Sequence, residues 1–360
     1  MKNKSNINQR GTEIVHSDNF EPKAIINQVV IFLLLILCSS VIRGHHSNAE
    51  YNFEVTEEYV GEVVDVSWRN PHVRIWLRST RQDGSEVVWD LEMLTANNLN
   101  RRGLSQEMIE IGETVRIAGH RSRRRDSIYM TNMLLPDGTE IRTRGDTEPR
   151  WSETNIGFTA SSLNQDLYAD DGSESIFRVW LPTERIRTSE HTDLPLTASA
   201  RAVKSSWDSV TDDPQIGCNP IGMPEAMYSP NPIQFIRNGE DITLRLEEWD
   251  HVRSIFMTSD TSLHDQQATI LGYSVGDWED NTLVVRTTNI DYPWMDYEGT
   301  PQTEAAVVTE RFVLSEDERS LDWEATVNDA GTLTEPVLLF TAHYEWAPEV
   351  VIQSYNCAVL

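Results

Sequence analysis

The sequence predicts an all-β protein with two parts, an OB-like small barrel followed by an antiparallel barrel-like or sandwich domain. Between residues 57 and 143, apolar and polar residues alternate with the period of strands, and one helical stretch interrupts them. From residue 233 onwards, turn residues separate a second series of alternating segments. Apolar residues make up 39 % of the chain, which is enough to build a core.

The chain begins with a pattern typical of an export signal. Four basic residues precede the apolar run 29–37, and small residues follow it. We expect residues 1–44 to be a signal peptide and the mature protein to be periplasmic or secreted, with no stable membrane domain after cleavage. The alternative is an uncleaved anchor that tethers the protein to the membrane, although the run is shorter than the roughly 20 apolar residues of a spanning helix.

The domain expected at residues 45–145 has the element order of an OB-like barrel, which is three strands, a helix and two strands. The helix is predicted at 95–102, because Thr95 suits an N-cap and Gly103 suits the position just beyond a helix end. The strands are predicted at 57–68, 72–79, 86–93, 114–120 and 127–135.

The remainder of the chain divides into a linker and a second β domain. Residues 146–195 are rich in Ser, Thr, Asp and Glu without a sustained period, which predicts a linker. The domain at 196–360 starts with a short helix at 196–207, and Asn238-Gly239 predicts a type I′ hairpin. About nine consecutive antiparallel strands, ending with one at 350–355, predict an up-and-down, lipocalin-like barrel, and a two-sheet sandwich is the alternative.

Cys218 and Cys357 are the cysteines that remain if Cys38 leaves with the signal. A pair of cysteines in an exported chain predicts a disulfide, because compartments outside the cytoplasm are oxidising. Two buried free thiols are the alternative. A disulfide over this separation closes a long loop and is expected to stabilise the fold by about 2–4 kcal/mol.

The acidic residues are concentrated in the C-terminal part. The formal net charge is -27: residues 1–44 carry +2, residues 45–150 carry -4 and residues 151–360 carry -25. A protein this acidic repels the phosphate backbone, so the charge argues against nucleic-acid partners. The OB-like domain has arginine and no lysine, and its arginines are expected to attract the acidic C-terminal domain.

Three short motifs resemble a family of exported bacterial proteins of unknown function. They are His45-His46-Ser47 after the signal, Trp68-Arg69-Asn70-Pro71-His72 after the first strand, and Asn98-Leu99-Asn100-Arg101-Arg102-Gly103 at the helix end. The stretch from Leu91-Glu92 to Asn97 also matches, and residues 271–278 and 282–285 are similar to a companion region in longer members. The resemblance implies export and the OB-like architecture, and it implies no particular activity.

His45, His46 and His72 are candidate metal ligands. If cleavage follows Gly44, a terminal amine and an imidazole come together and chelate copper or zinc, and His72 is the internal histidine best suited to complete the site. The alternative is that His46 and His72 are structural and bond to the backbone at a barrel end. A copper or zinc ion is the one cofactor that the sequence suggests.

Six arginines form a candidate contact surface. They lie at the helix end and between the fourth and fifth strands, in a loop that often binds ligands in OB-like barrels. They are Arg101, Arg102, Arg121, Arg123, Arg124 and Arg125. Their expected partner is an anionic ligand, an envelope protein or the acidic C-terminal domain, and a solvated hairpin tip is the alternative.

Dense aromatic residues mark a candidate cavity in the C-terminal domain. Trp249, Trp278, Trp323 and Tyr344 are expected to line it if the domain is an open barrel, and a packed core is the alternative. No Gly-x-Ser-x-Gly, HExxH, P-loop or dinucleotide motif occurs, so no catalytic residues are assigned and an enzyme is disfavoured.

The sequence therefore favours non-enzymatic binding of a small ligand or a metal ion in the periplasm. A structural or assembly partner of a cell-envelope complex is the first alternative. A hydrolase or isomerase with an unrecognised site is the second.

Overall fold

The computed structural model describes residues 50–143, 147–157, 175–190, 192–209, 211–257 and 267–359. The expected signal peptide, His45 and His46 lie outside these described residues. Within them, no helix combines the length and the apolar character needed to cross a bilayer.

The first part of the chain forms a closed five-stranded barrel with OB-like topology, as the sequence predicts. Its strands are β1 Glu57–Ser67, β2 Arg74–Thr80, β3 Glu86–Glu92, β4 Thr114–Arg121 and β5 Ser127–Leu134. β1 pairs with β2 and β4, β2 with β3, and β4 with β5, all antiparallel. The parallel pairing of β3 with β5 closes the barrel. Two short strands, β6 Glu140–Arg142 and β7 Asn155–Gly157, extend the sheet from β5.

One helix, α1 (Ala96–Arg101), connects β3 to β4. Thr95 caps it, since Thr95 Oγ1 accepts the N–H of Asn98 at 3.2 Å. The chain leaves the helix through Gly103, whose φ of 77° is a conformation that glycine adopts at little cost. Leu99 packs in the apolar core, but Asn97 and Asn98 are buried too. Buried amides need hydrogen-bond partners, and these come from the second barrel.

The second part forms a closed nine-stranded barrel, so the predicted barrel is confirmed and the sandwich alternative is wrong. Its strands are β8 Val179–Arg187, β9 Ile233–Asn238, β10 Asp241–Leu246, β11 His251–Phe256, β12 Tyr273–Glu279, β13 Thr282–Thr288, β14 Val307–Leu314, β15 Ser320–Asn328 and β16 Val337–Trp346. β8 pairs with both β9 and β16 and closes the barrel. A helix, α2 (Ala198–Ser206), forms between β8 and β9, where the sequence predicts one.

The second barrel differs from the predicted meander in three places. β8 falls in the stretch 146–195 that the sequence predicts to be a linker, as does β7 of the first sheet, and Pro182 and Glu184 hide the alternation of β8. β11 pairs with β12 in parallel, which requires a longer connection than a hairpin. Residues 350–355 form no strand and belong instead to an irregular tail after β16.

An ion pair is buried among the apolar side chains inside the second barrel. Arg253 on β11 and Glu310 on β14 are 2 % and 0 % exposed, and both Nη atoms of Arg253 contact the Glu310 carboxylate. Arg253 also donates to Ser274 Oγ at 2.8 Å and to Thr287 Oγ1 at 2.6 Å, and Trp323 Nε1 donates to Glu310 at 3.1 Å. The five strands from β11 to β15 are therefore joined through one guanidinium and one carboxylate.

Replacing Glu310 by glutamine should strongly destabilise the second barrel. The amide keeps the shape of the side chain but leaves the Arg253 charge buried without its counter-charge, which costs about 3–5 kcal/mol. We expect a loss of that size in the free energy of unfolding, measured by urea denaturation with the disulfide intact.

Glu279→Gln is the matched control, because Glu279 pairs with Arg311 on the exposed outside of the same barrel. It should change the free energy of unfolding by less than about 1 kcal/mol. Equal losses of unfolding free energy in the two variants would contradict the conclusion that the buried ion pair stabilises the second barrel.

Candidate functional site

The polar face of α1 meets the second barrel at a junction of buried amides. Asn98 Nδ2 donates to Asn231 Oδ1 at 3.0 Å, and Thr95 Oγ1 donates to the same oxygen at 3.4 Å. Asn97 Nδ2 donates to Glu247 Oε1 at 3.1 Å. All five residues are buried. Hydrogen bonds in such a water-poor site are strong, so they fix α1 against the second barrel.

Glu247 lies at the centre of this junction, and its side chain is fully buried. Its Oε1 accepts hydrogen bonds from Asn97 and from the guanidinium of Arg101. Its Oε2 accepts the N–H of Gln353 at 2.9 Å. A buried carboxylate is tolerated only when it is paired and hydrogen-bonded. Glu247 therefore holds three segments in position: helix α1, the turn after β10 that carries it, and the segment that contains Gln353.

The tail, residues 350–359, binds to the first barrel through its backbone. Asn70 Nδ2 donates to the carbonyl of Tyr355, and the N–H of Ala358 donates to the carbonyl of Asn70 at 3.2 Å. Asn97 Nδ2 also donates to the carbonyl of Ser354 at 3.3 Å. Asn70 and Cys357 form an isolated parallel β-bridge.

The turn at residues 247–250 contacts the tail from the second barrel. Trp249 and Asp250 have φ angles of 61° and 53°, which are unfavourable for residues other than glycine. The Asp250 carboxylate accepts the N–H of Tyr355 at 3.0 and 3.1 Å, and the Trp249 and Tyr355 rings lie 5.0 Å apart. The Tyr355 hydroxyl donates to Glu248 Oε1 at 3.4 Å.

The predicted disulfide between Cys218 and Cys357 is confirmed. The two Cα atoms lie 5.8 Å apart, and the bond joins residues 139 positions apart in the chain. It fastens the tail to the loop before β9.

Two of the six candidate arginines contact the acidic C-terminal part. Arg101 pairs with Glu247, and Arg124 donates from both Nη atoms to the Asp208 carboxylate at 2.7 Å each. The Arg101 pair is buried, whereas the Arg124 pair is exposed and contributes less than about 1 kcal/mol.

The other four arginines contact residues of the first part of the chain. Arg125 pairs with Glu50 at 2.6 Å, Arg123 donates to Asn52 Oδ1 at 3.0 Å, Arg102 donates to the Thr143 carbonyl at 3.4 Å, and the Arg121 guanidinium lies 5.1 Å from the Trp89 ring centre.

His72 is the one candidate metal ligand among the described residues. Its Nδ1 lies 3.0 Å from the carbonyl oxygen of Met93, which can only accept, so Nδ1 carries the proton and Nε2 holds the lone pair of the neutral ring. Within the described ranges, no group of three or more His, Cys, Asp or Glu side chains is placed to hold a metal ion. The expected site needs His45 and His46, which lie outside those ranges.

Three of the four candidate cavity residues, Trp249, Trp323 and Tyr344, pack in the hydrophobic core of the second barrel. Tyr344 donates to the Met227 carbonyl at 3.3 Å. Trp278 is 38 % exposed near the end of β12.

A pocket of about 590 Å³, here called the OB pocket, lies on the first barrel. It is lined by Phe53, Thr56, Glu58, His120, Thr131, Asn132, Thr147, Glu148, Pro149 and Arg150. Arg150 pairs with Glu58 at 2.9 Å, and its hydrogen bonds lower the pKa of Glu58. His120 Nδ1 lies 3.0 Å from the Val55 carbonyl, so Nε2 is its acceptor nitrogen.

Asn132, one of the lining residues, has a buried acceptor without a partner in the described part of the chain. Its Nδ2 donates to Glu140 Oε1 at 2.7 Å and to the Glu148 carbonyl at 3.1 Å. Both partners can only accept, so the orientation of the amide is fixed. Oδ1 is then a buried oxygen with no hydrogen-bond partner among the described residues. Glu140 also binds the N–H groups of Arg150 and Trp151, each at 2.8 Å, and so positions the pocket wall.

A second buried cluster of charges lies near α2. Arg187 and Glu298 pair at 2.7 Å, and Lys204 Nζ donates to Glu298 Oε2 at 2.8 Å. Glu225 is 4 % exposed, and its Oε2 has no hydrogen-bond partner among the described residues. Burial raises the pKa of Glu225 well above its ordinary value; Arg187 lowers it, and Asp296, Glu298 and Glu248 raise it further. The carboxyl therefore keeps its proton to a higher pH than an exposed glutamate does.

Sequence reasoning missed Glu247, Asp250 and Asn132. A pair of acidic residues is expected by chance in so acidic a chain, and a polar residue within a strand is expected to face solvent. The available signal was the run Glu247-Glu248-Trp249-Asp250, which stands where a turn normally has Gly or Asn.

Residues 34–129 match the model of a family of unknown function, DUF6152. This range is less than half of the chain and ends within β5, so it agrees with the resemblance of the N-terminal motifs. No curated protein matches the sequence. Function therefore has to be argued from the geometry.

Glu225 should make the protein less stable as the pH rises. The unfolded chain loses the Glu225 proton near the ordinary pKa of 4.5, whereas the folded protein keeps this proton to a higher pH. The stability that Glu225 contributes below pH 4.5 is therefore lost as the pH rises towards its pKa in the folded protein. Glu225→Gln stays neutral, so its advantage in melting temperature over the wild type should be larger at about pH 8 than at about pH 5.

Glu240→Gln serves as the control, because Glu240 is exposed at the turn between β9 and β10. Its melting temperature should follow that of the wild type at both pH values. A constant difference between the Glu225→Gln variant and the wild type would show that Glu225 is ionised in the folded protein.

Proposed function

We propose that the protein is exported and binds a small polar molecule, without converting it, in the OB pocket. The observation that carries this proposal is the OB pocket itself, whose lining includes the acceptor Nε2 of His120 and the residue Asn132, whose buried Oδ1 has no hydrogen-bond partner among the described residues. Leaving a buried acceptor without a partner costs about 1–3 kcal/mol, which a small donor that reaches it would recover.

The chemistry of the lining suggests which ligands fit. Asn132 Oδ1 and His120 Nε2 are acceptors, and Glu58 and Glu148 add carboxylates. Arg150 contributes one guanidinium, which already pairs with Glu58. A ligand rich in N–H or O–H donors, such as an amine, an amide or a polyol, matches this set better than an anion does.

Export is supported by two independent features. The N-terminal residues have the layout of a signal peptide. The disulfide between Cys218 and Cys357 persists in oxidising compartments and is rare in the cytosol. We infer that the protein binds its ligand in the periplasm.

The second barrel is a less favourable place for a ligand. Trp323 and Phe312 are buried in its core, and the pair of Arg253 and Glu310 occupies its interior. A ligand would have to displace packed side chains or break a buried ion pair, and both are costly.

Protein purified from its own cells should retain a small molecule that native mass spectrometry detects as added mass. His120→Phe keeps a ring against Phe53 but removes the Nε2 acceptor, so the retained fraction should fall at least about tenfold.

His343→Phe is the control for this experiment, because His343 lies on the second barrel and contacts Asp322. This variant should retain the molecule as the wild type does. The proposal fails if the wild type carries no added mass, or if the two histidine variants retain it equally.

A second candidate function is copper or zinc binding by His72 together with His45 and His46. The hydrogen bond from Nδ1 of His72 to Met93 favours it, because metal-bound histidines usually donate their other ring N–H to such a partner. The Nε2 of His72 is then the nitrogen that would bind the ion.

Calorimetric titration of the naturally processed protein with Cu(II) and Zn(II) tests this second candidate. We expect His72→Phe to weaken binding at least about tenfold and His343→Phe to leave it unchanged. A dissociation constant above about 10 μM for both ions in the wild type would remove the candidate.

A further inference from the structure

The geometry points to a peptide-docking site between the first barrel, at Asn70 and Asn97, and the turn at residues 247–250 of the second barrel. The surface around Asn70 and Asn97 binds an uncharged, extended polypeptide segment, and the chain occupies this surface with its own tail. The docking site shares no residue with the OB pocket. The inference is therefore independent of the proposed ligand binding.

The first barrel recognises the tail by its backbone. Asn70 and Asn97 donate to the carbonyls of Tyr355 and Ser354, and the Asn70 carbonyl accepts the N–H of Ala358. Asn70 and Cys357 form an isolated parallel bridge, and modules that bind peptides by adding a strand likewise recognise them through main-chain hydrogen bonds. Main-chain hydrogen bonds of this kind supply affinity with little dependence on the peptide sequence.

One side chain of the tail acts as an anchor. Tyr355 is 1 % exposed, whereas Gln353, Ser354 and Asn356 beside it are exposed. Its ring packs against Trp249 and its hydroxyl contacts Glu248. A single buried aromatic residue surrounded by solvent-facing neighbours is the pattern of a hot spot in a binding interface.

The tail joins neither sheet, although its Tyr355 side chain packs in the hydrophobic core of the second barrel. The second barrel is closed by the pairing of β8 with β9 and β16, and the tail follows β16 without joining the sheet. The tail can therefore leave while both sheets keep all their strands. The disulfide of Cys357 with Cys218 keeps it near the site.

The charge of the site disfavours an acidic segment. The wall from the second barrel carries the carboxylates of Glu247, Glu248 and Asp250 against the guanidinium of Arg101. An acidic peptide would be repelled there. Residues 350–359 contain no charged side chain.

A full-length variant with a protease site inserted after the exposed Glu349 tests the inference. After cleavage the disulfide still holds the tail, and reduction then releases it as a separate peptide. A fluorescent synthetic peptide of residues 350–359 should bind the cleaved and reduced protein saturably in fluorescence anisotropy. It should bind the cleaved but oxidised protein at least about tenfold more weakly, because the tail competes from a tethered position.

Peptide variants and protein variants separate docking from general adhesion. A peptide with Tyr355→Ala should bind at least about tenfold more weakly, whereas one with Ser354→Ala should bind as the parent does. In the protein, Asn70→Ala should weaken binding, and Asn155→Ala, which is remote from the junction, should not. Circular dichroism shows whether each protein variant remains folded.

The inference is overturned by either of two results with folded protein. One is no saturable binding of the parent peptide below about 1 mM to the cleaved and reduced chain. The other is equal affinity for the parent and the Tyr355→Ala peptide.

Discussion

The junction of the two barrels depends on the buried carboxylate of Glu247. Moving such a charge out of water costs several kcal/mol, and the cost is offset only if its partners are held in place. The guanidinium of Arg101, the amide of Asn97 and the N–H of Gln353 supply those partners from two other segments of the chain. The position of α1 relative to the second barrel and the path of the tail are thus specified by one side chain.

The turn that carries Glu247 is itself supported by the tail. Trp249 and Asp250 both have positive φ, and each such residue costs about 1–3 kcal/mol unless its surroundings impose the conformation. Here the Asp250 carboxylate binds the N–H of Tyr355 and the Trp249 ring packs on its side chain. The turn and the tail therefore stabilise each other, and the disulfide at Cys357 limits the entropy lost when the tail docks.

Local patterns predicted most of the strands, because alternation and turn chemistry act over a few residues. Thr95 and Gly103 mark the ends of α1. The turn between β9 and β10 is Gly239-Glu240, one residue later than the predicted Asn238-Gly239. Only Gly239 of the two has a positive φ, so the predicted type I′ turn is wrong although the hairpin forms. The junction was beyond such patterns, since Asn97 and Glu247 are 150 positions apart. The same limit explains the predicted strand at 350–355: its backbone groups bond to Asn70, Glu247 and Asp250 instead of to a neighbouring strand. The disulfide was predictable because only two of the three cysteines lie beyond the expected signal peptide.

The two candidate sites of the first barrel differ in their relation to the matched family. Asn70, Asn97 and Arg101 lie within residues 34–129 and are used to bind the tail and the second barrel. The OB pocket is divided: Glu58 and His120 lie within that range, whereas Asn132 and Arg150 lie beyond it. The resemblance in the Asn-Pro-His and Asn-Arg-Arg-Gly motifs therefore carries information about docking and none about the ligand of the pocket. In a chain that has these motifs without a second barrel, Asn97 and Asn98 of α1 would lack the hydrogen-bond partners that Glu247 and Asn231 provide here. Such amides would need another polypeptide or water to satisfy their hydrogen bonds.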